Sequence, residues 1–270
     1  MDEPAHFALF GNPVSQSLSP AMHTAAFAQM GLNADYTAHR VDDAAEVVRR
    51  VRESGIRGAS ITIPFKETVM ALLDEVDPAA AAIGAINTIV NRDGMLAGYN
   101  TDGPGLVSDL SEWIAIRGTT FVILGAGGAA RAAVYSLRDA GGIPIVVNRT
   151  AERAQVLADR FGCRWEPARE IGRLRADCLI NTTPLGMFPE TVRTPLEKCF
   201  LVRFPRVMDM IYNPMKTRLL REAEAAGCAV RSGVGMFVHQ GVEQIRLWTG
   251  QEAPQEEMWR VVLERLGKHG

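Results

Sequence analysis

Phe121-Val122-Ile123-Leu124-Gly125-Ala126-Gly127-Gly128-Ala129-Ala130-Arg131 is the stretch that decides the fold. An apolar, β-branched run ends in glycines and passes at once into an Ala-rich segment of helical character. A parallel strand delivers a pyrophosphate to a helix N-terminus in this way. Gly125 makes the turn, and Gly127 lets backbone N–H groups approach the phosphates. The third position of the Gly-x-Gly-x-x-Gly pattern is Ala130, which still allows a helix to pack closely on its strand. The loop lies in mid-chain. The residues before it are enough for a separate domain.

The next strand names the nucleotide. A chain that binds NAD places Asp or Glu roughly 20 residues past the loop, where it accepts from the ribose 2′-hydroxyl. Here the strand Ile143–Val147 ends in Asn148-Arg149-Thr150, with Arg153 one helical turn further on. No carboxylate stands at the strand tip, and two guanidinium groups do. Their planar, permanent charge suits a 2′-phosphate. The plainer alternative is that the arginines only solvate a helix start. Positive charge there opposes the macrodipole unless an anion is present. NADP is the expected cofactor.

Composition agrees with an enzyme of small molecules. The 270 residues allow two domains, each with its own core. A hydrophobic content of 47% and a net charge of −2 exert no pull towards nucleic acid or an anionic membrane. Cys163, Cys178, Cys199 and Cys228 are scattered, without Cys-x-x-Cys or His at ligand spacing, so neither disulfides nor a metal site is expected. They suit a reducing compartment, and no signal peptide or membrane span is visible, so the expected location is cytoplasmic.

Strand and helix patterns alternate along the chain, which favours a parallel α/β architecture. Phe7–Phe10 reads as a strand, and Ser19-Pro20 opens a helix with serine as its cap. Met22, Ala26 and Met30 share one face of that helix, and Gly31 ends it. Further strands are expected at Tyr36–Val41, Ala59–Ile63 and Thr88–Val90, and helices near 43–53, 66–73 and 102–115. The nucleotide domain continues through strands near 143–147, 177–181 and 206–210. Two helices, about 236–248 and 255–266, then need an apolar partner, and folding back on the first domain supplies one. The expected division is 1–101, 102–235 and 236–270.

Four segments outside the glycine loop carry chemistry. Ser17-Leu18-Ser19 places two hydroxyls on one side of an extended loop, although Ser19 also suits a plain helix cap. Ala59-Ser60-Ile61-Thr62-Ile63-Pro64-Phe65-Lys66 is a strand closed by proline with a lysine just beyond; a solvated surface amine is the commoner fate of such a lysine. Gly84-Ala85-Ile86-Asn87-Thr88 offers an amide ahead of an apolar strand. Asn100-Thr101-Asp102-Gly103 stands at the domain handover, where Asp102 also suits a helix cap. Each signal alone is weak.

In this order the segments resemble the shikimate dehydrogenase family. The resemblance runs from Gly11-Asn12-Pro13 to Gln240. It joins Ser-x-Ser-Pro, Thr-x-Pro-Phe-Lys, Gly-Ala-x-Asn-Thr, Asn-Thr-Asp-Gly, Gly-Ala-Gly-Gly-Ala, Asn-Arg-Thr and Gly-x-Gly-Met. It implies reversible, NADPH-dependent reduction of 3-dehydroshikimate to shikimate, a step towards the aromatic amino acids. It also implies an N-terminal α/β substrate domain and a Rossmann-type doubly wound NADP domain flanking a cleft, with C-terminal helices returning to the substrate domain. Members occur as monomers and homodimers.

By the same resemblance, Ser17 and Ser19 hold the substrate carboxylate. Thr62, Asn87, Asp102 and Gln240 meet the ring hydroxyls, Tyr212 lines the site, and Lys66 and Asp102 form the catalytic pair. On the cofactor side it carries over Gly125, Ala126, Gly127, Gly128 and Ala129. Asn148, Arg149, Thr150, Arg153, Met210 and Gly233 follow, with Gly235-Met236 near the nicotinamide.

The residue types make chemical sense. Reducing a ketone needs hydride at carbon, which the nicotinamide supplies, and a proton at oxygen from a positioned acid. A lysine ammonium can give that proton and offset alkoxide charge, with Asp102 holding the amine. Which of the two is the formal acid stays open. Quinate oxidation on the same scaffold, a methyltransferase with its own glycine loop, and a non-catalytic sensor are the other readings. Asn148-Arg149 speaks against an NAD-preferring relative and the methyltransferase, and an intact Lys66 and Asp102 against the sensor.

Overall fold

The computed structural model describes residues 3–267. The chain divides into two compact units: residues up to Gly105 joined by those from Val238, and Leu106–Phe237. Among the described residues no helix is long and apolar enough to cross a membrane.

The first unit alternates β1 (Ala5–Gly11), α1 (Ser19–Gln29), β2 (Ala34–Arg40), α2 (Ala44–Glu53) and β3 (Gly58–Ile61). Then come β4 (Glu75–Val76), α3 (Pro78–Ile83), β5 (Thr88–Arg92), β6 (Met95–Tyr99) and the start of α4 (Asp102–Ser111). Its six strands lie in the order β2-β1-β3-β5-β6-β4. The alternation of strand and helix predicts a parallel sheet, and this one is mixed. β5 runs antiparallel to both β3 and β6. The reason is local: Asp93 and Gly94 both take positive φ (52° and 95°), making a two-residue turn of the type that reverses a twisted strand directly.

The strand β1 is buried on both faces, which is why Phe-Ala-Leu-Phe is continuously apolar. Ala8 and Phe10 join Val47 and Val51 of α2 in one core. Phe7 meets Phe27 of α1, ring centroids 4.8 Å apart, and Trp248 at 5.2 Å. A methyl group on Gly58 would overlap the Trp248 indole, so the ring lies directly on β3.

The second unit holds β7 (Thr120–Leu124), α5 (Gly128–Asp139), β8 (Ile143–Asn148), α6 (Ala151–Phe161) and β9 (Arg164–Pro167). It continues through β10 (Cys178–Asn181), α7 (Lys198–Leu201), β11 (Arg206–Asp209), α8 (Arg218–Ala225) and β12 (Ala229–Ser232). All six strands are parallel, in the order β12-β11-β10-β7-β8-β9. The winding reverses between β7 and β10, the switch point at which doubly wound sheets bind nucleotides. Phe121 and Ile123 bury on one face of β7, Val122 and Leu124 on the other. The helices α9 (Val234–Thr249) and α10 (Gln255–Gly267) close the chain, and α10 packs on α1.

Several local expectations shift. The helix foreseen at 66–73 is only a short 3-10 turn at Val69–Leu72, because Leu73 turns extended to begin a strand that the 3.6-residue pattern hides. The strand expected to Ile63 stops at Ile61, and the helix expected to 115 stops at Ser111. The cap of α1 is Leu18, whose carbonyl already accepts from Met22 N–H, so Ser19 is the first helical residue. Its hydroxyl does not cap the helix.

Candidate active site

Topology gathers the chemistry of the first unit on one sheet edge. β1, β3 and β6 end there, and β5, running the other way, begins there. The loop after β1 carries Ser17 and Ser19. The turn after β3 carries Thr62 and Lys66, Asn87 immediately precedes β5, and Asp102 follows β6. The loops after β1 and β3 are tied by Asn12 N–H donating to the Ile63 carbonyl at 2.9 Å.

Lys66 and Asp102 meet. The Lys66 ammonium donates to Asp102 Oδ2 at 2.5 Å, with side-chain exposures of 18% and 8%. This lysine is therefore not the solvated amine that its sequence context allows. Asn87 Nδ2 donates to the other Asp102 oxygen at 2.9 Å, to Thr101 Oγ1 at 2.9 Å and to Gln240 Oε1 at 3.4 Å. Asn87 Oδ1 accepts from Thr101 N–H at 2.7 Å. Each carboxylate oxygen thus has a donor. A buried charge requires such pairing.

Ser17 and Ser19 face one another: Ser17 Oγ donates to Ser19 Oγ at 3.2 Å and accepts from Ser19 N–H at 3.2 Å. Thr62 is half-buried, its backbone N–H bonded to the Phe10 carbonyl. Gln240 is buried on α9, where its backbone lies so close to Gly105 that a Cβ on that glycine would clash. Tyr212 belongs to the second unit, where its ring stacks on Phe237 at 4.1 Å.

In the second unit the loop after β7 has the shape of an anion cradle. Gly125 takes φ +121°, and a Cβ there would run into Thr182, which follows β10. Gly127, by contrast, caps α5 with an ordinary φ of −92°, and a Cβ on it would meet nothing within 4 Å. Nothing in the protein requires glycine at that position. The first turn of α5 (Gly128, Ala129) has no acidic residue and no side-chain cap, leaving its N–H groups to a ligand. At the end of β8, Asn148 donates to the Thr150 carbonyl at 3.0 Å, while Arg149, Thr150 and Arg153 beyond it are exposed. Residues 148–150 at the tip of β8 include no carboxylate, although Glu152 stands in the first turn of α6, and the exposed guanidinium groups fit a phosphorylated ribose. Met210 is half-buried after β11, Met236 is buried, and a Cβ on Gly233 would overlap the Met210 carbonyl.

Known proteins match this arrangement. Residues 9–89 match the family described as the shikimate dehydrogenase substrate binding domain, and 233–263 the shikimate 5′-dehydrogenase C-terminal domain. Over 96% of its length the chain is 45% identical to the shikimate dehydrogenase (NADP(+)) of Moorella thermoacetica, covering 93% of that protein. The chain belongs to the shikimate dehydrogenase family. The corresponding enzyme of Pyrococcus abyssi is 43% identical over 97% of this chain and 98% of its own. The crystal structure of shikimate 5-dehydrogenase from Thermus thermophilus, in complex with NADP(H) and shikimate, superposes with a TM-score of 0.88. That structure is 38% identical and is matched over 96% of this chain and 99% of its own.

Within this shikimate dehydrogenase chain, a second polar cluster escapes the sequence reading. Asp209, buried at the end of β11, accepts from Thr217 Oγ1 at 2.7 Å, Asn181 Nδ2 at 3.0 Å and Ile211 N–H at 3.1 Å. Burial pushes its carboxyl up to about 6, against the three donors that favour the ion. Asn181 in turn holds Thr183, so the chain segments after β10 and β11 are tied together at the edge that carries the glycine loop. The available signal was Asn181-Thr182-Thr183-Pro184, a run of polar residues directly after an apolar strand.

Proposed function

We infer that the protein catalyses the reversible, NADPH-dependent reduction of 3-dehydroshikimate to shikimate, on the route to the aromatic amino acids. The observation that carries this reading is the enclosed Lys66–Asp102 pair braced by Asn87, in a chain 45% identical to an NADP(+)-dependent shikimate dehydrogenase. NADPH, when bound, supplies hydride to the carbonyl carbon. The Lys66 ammonium gives its proton to the carbonyl oxygen and offsets the negative charge that develops there. Asp102 holds that amine in place through Oδ2, and Asn87 keeps the carboxylate from rotating.

Ser17 and Ser19 bind the substrate carboxylate. Their mutual hydroxyl contact is long and neutral, at 3.2 Å, and a carboxylate would replace it by charge-assisted bonds. Thr62, Asn87, Asp102 and Gln240 serve the ring hydroxyls and Tyr212 lines the site, as the family resemblance implies. The coenzyme pyrophosphate rests on Gly125 to Ala129, with Gly127 leaving it room. Arg149 and Arg153 pair with the 2′-phosphate, beside Asn148 and Thr150. Met210 and Gly233 line the cofactor side, and Met236 lies near the nicotinamide. The protein works in the cytoplasm on these small molecules, as a monomer or homodimer, with residues 1–101 and 236–270 serving substrate and 102–235 serving NADP.

The test is product analysis. Purified protein with NADPH and 3-dehydroshikimate should yield shikimate and NADP in equal amounts. In reverse, shikimate should be oxidised faster than quinate, and NADP used in preference to NAD. No NADPH consumption would overturn the reading, and faster quinate oxidation would move the protein to a quinate dehydrogenase.

A further inference from the structure

The Asp102 carboxylate stands at the end of a longer line of hydrogen bonds, nearly all of it buried. Tyr36, Ser60, Gln244, Thr88, Asn87 and Asp102 are each at most 6% exposed. Tyr36 O–H donates to Ser60 Oγ at 2.6 Å, and Ser60 Oγ donates to Gln244 Oε1 at 3.0 Å. Gln244 Nε2 donates to Thr88 Oγ1 at 3.0 Å and to the Asn87 carbonyl at 3.3 Å. Thr88 Oγ1 donates to Asn87 Oδ1 at 2.9 Å, and Asn87 Nδ2 donates to Asp102 Oδ1 at 2.9 Å.

The direction of this line follows from its fixed points. Reversing the Gln244 amide would set its oxygen against the Asn87 carbonyl. Reversing Asn87 would set its oxygen against the Asp102 carboxylate and its NH2 against Thr101 N–H. Both amides are therefore held one way round. Each hydroxyl has a single proton: Ser60 gives its own to Gln244, and Thr88 gives its own to Asn87 Oδ1 at 2.9 Å, the shorter of its two options beside Thr101 Oγ1 at 3.4 Å. Each link of this line donates towards Asp102, while Asn87 Nδ2 also reaches Thr101 Oγ1 and Gln240 Oε1. A buried polar group needs a partner somewhere, but satisfaction alone does not require all of them to point one way.

We propose that Gln244, one helical turn beyond Gln240 on α9, is a positioning residue for the reaction: through Thr88 and Asn87 it fixes the carboxylate of Asp102 that faces Lys66. Gln244 touches neither member of the pair. It sets the two acceptor-to-donor links on which Asn87 depends, and Asn87 in turn orients Asp102. The inference rests on the reading of Lys66 and Asp102 as the reacting pair.

A double-mutant cycle tests it. Gln244→Met keeps the volume and removes every donor and acceptor, and Thr88→Val breaks the next link with an isosteric side chain. Each should lower kcat for shikimate by about tenfold, the scale of a misaligned catalytic group, with the KM for NADP within twofold. In an Asp102→Asn background, the same substitutions should cost less than about twofold in the residual kcat, because their effect runs through Asp102. A Gln244→Met enzyme with normal kcat at 25 °C and only a lower melting temperature overturns the proposal. So does an undiminished tenfold loss in the Asp102→Asn background. If Gln244→Met fails to fold, Thr88→Val alone decides between these results. Asp102→Asn with wild-type kcat would instead refute the pair itself, and the inference with it.

Discussion

The Lys66 ammonium and the Asp102 carboxylate are joined at 2.5 Å across 36 positions of sequence, and Asn87 takes the carboxylate oxygen that Lys66 leaves. Three loops at one sheet edge supply one residue each. The lysine has a fixed direction and keeps 18% of its side chain exposed; a proton donor needs such a direction and a solvated surface amine lacks it.

The coenzyme loop makes two opposite predictions for two neighbouring glycines. Gly127→Val adds a side chain whose Cβ has nothing within 4 Å, at a φ that any residue adopts. Its melting temperature should stay within about 2 °C of wild type, while the KM for NADP rises more than about tenfold. Gly125→Ala should destabilise the fold, since its φ is +121° and its Cβ meets Thr182. Thermal melts and KM measurements on both variants check this. Equal behaviour would show that the loop does not cradle phosphate.

The role proposed for Arg149 predicts a cofactor-selective loss. Arg149→Ala removes a charge-assisted contact worth about 1.5–3 kcal/mol, so the KM for NADP should rise roughly 10- to 150-fold. The KM for NAD should hardly move, since NAD has no 2′-phosphate. Equal losses with both would make Arg149 a structural residue.

Two buried groups give the two units opposite responses to acid. His23, stacked on Tyr36 at 4.3 Å and held through Nδ1 to the Ser19 carbonyl, is pushed by burial from 6.5 down to about 4. Between those values the unfolded chain binds a proton that the folded chain refuses, so stability falls as pH drops from 6.5 towards 4. Asp209 is pushed by burial from 3.8 up to about 6. Between those values the folded chain holds the extra proton, so stability rises as pH drops from 6 towards 3.8. Each slope is at most about 1.4 kcal/mol per pH unit. Amide exchange at pH 6.5 and 4.5 should show protection falling in the first unit relative to the second. His23→Leu and Asp209→Asn should each remove their own slope, and parallel trends in both units would contradict the assignment.

The second unit was the more legible in sequence because its strands are apolar runs ending in glycine or polar residues, each followed by a helical pattern. The first unit hid its mixed sheet in Asp93-Gly94, a turn dipeptide that reverses the expected strand at Thr88–Val90 into β6, whose Met-Leu-Ala-Gly-Tyr gives no clear strand pattern. It hid α3 as well, although Asp77 caps it, Pro78 opens it and Gly84 closes it in the left-handed region. Among the site residues, motifs pointed to Lys66, Asn87 and Asp102, because chemistry needs those residue types near strand ends. Gln244 gave no such signal. It sits on a helix with apolar and charged neighbours, and its partners Ser60 and Thr88 are 184 and 156 positions away. Only the packing of α9 on the sheet brings them together.

The most direct test of the account is the steady-state kinetics of Lys66 variants with shikimate and NADP. Lys66→Ala should lower kcat by roughly two to four orders of magnitude, the range for losing a general acid–base group. The KM for NADP should be unchanged and that for shikimate only modestly raised, because Ser17, Ser19, Thr62 and Asn87 remain. Lys66→Arg should recover little, since a guanidinium keeps its charge and its proton. A Lys66→Ala enzyme with near-normal kcat and a large rise in the KM for shikimate would contradict the account, leaving Lys66 as a binding residue and Asp102 as the proton donor.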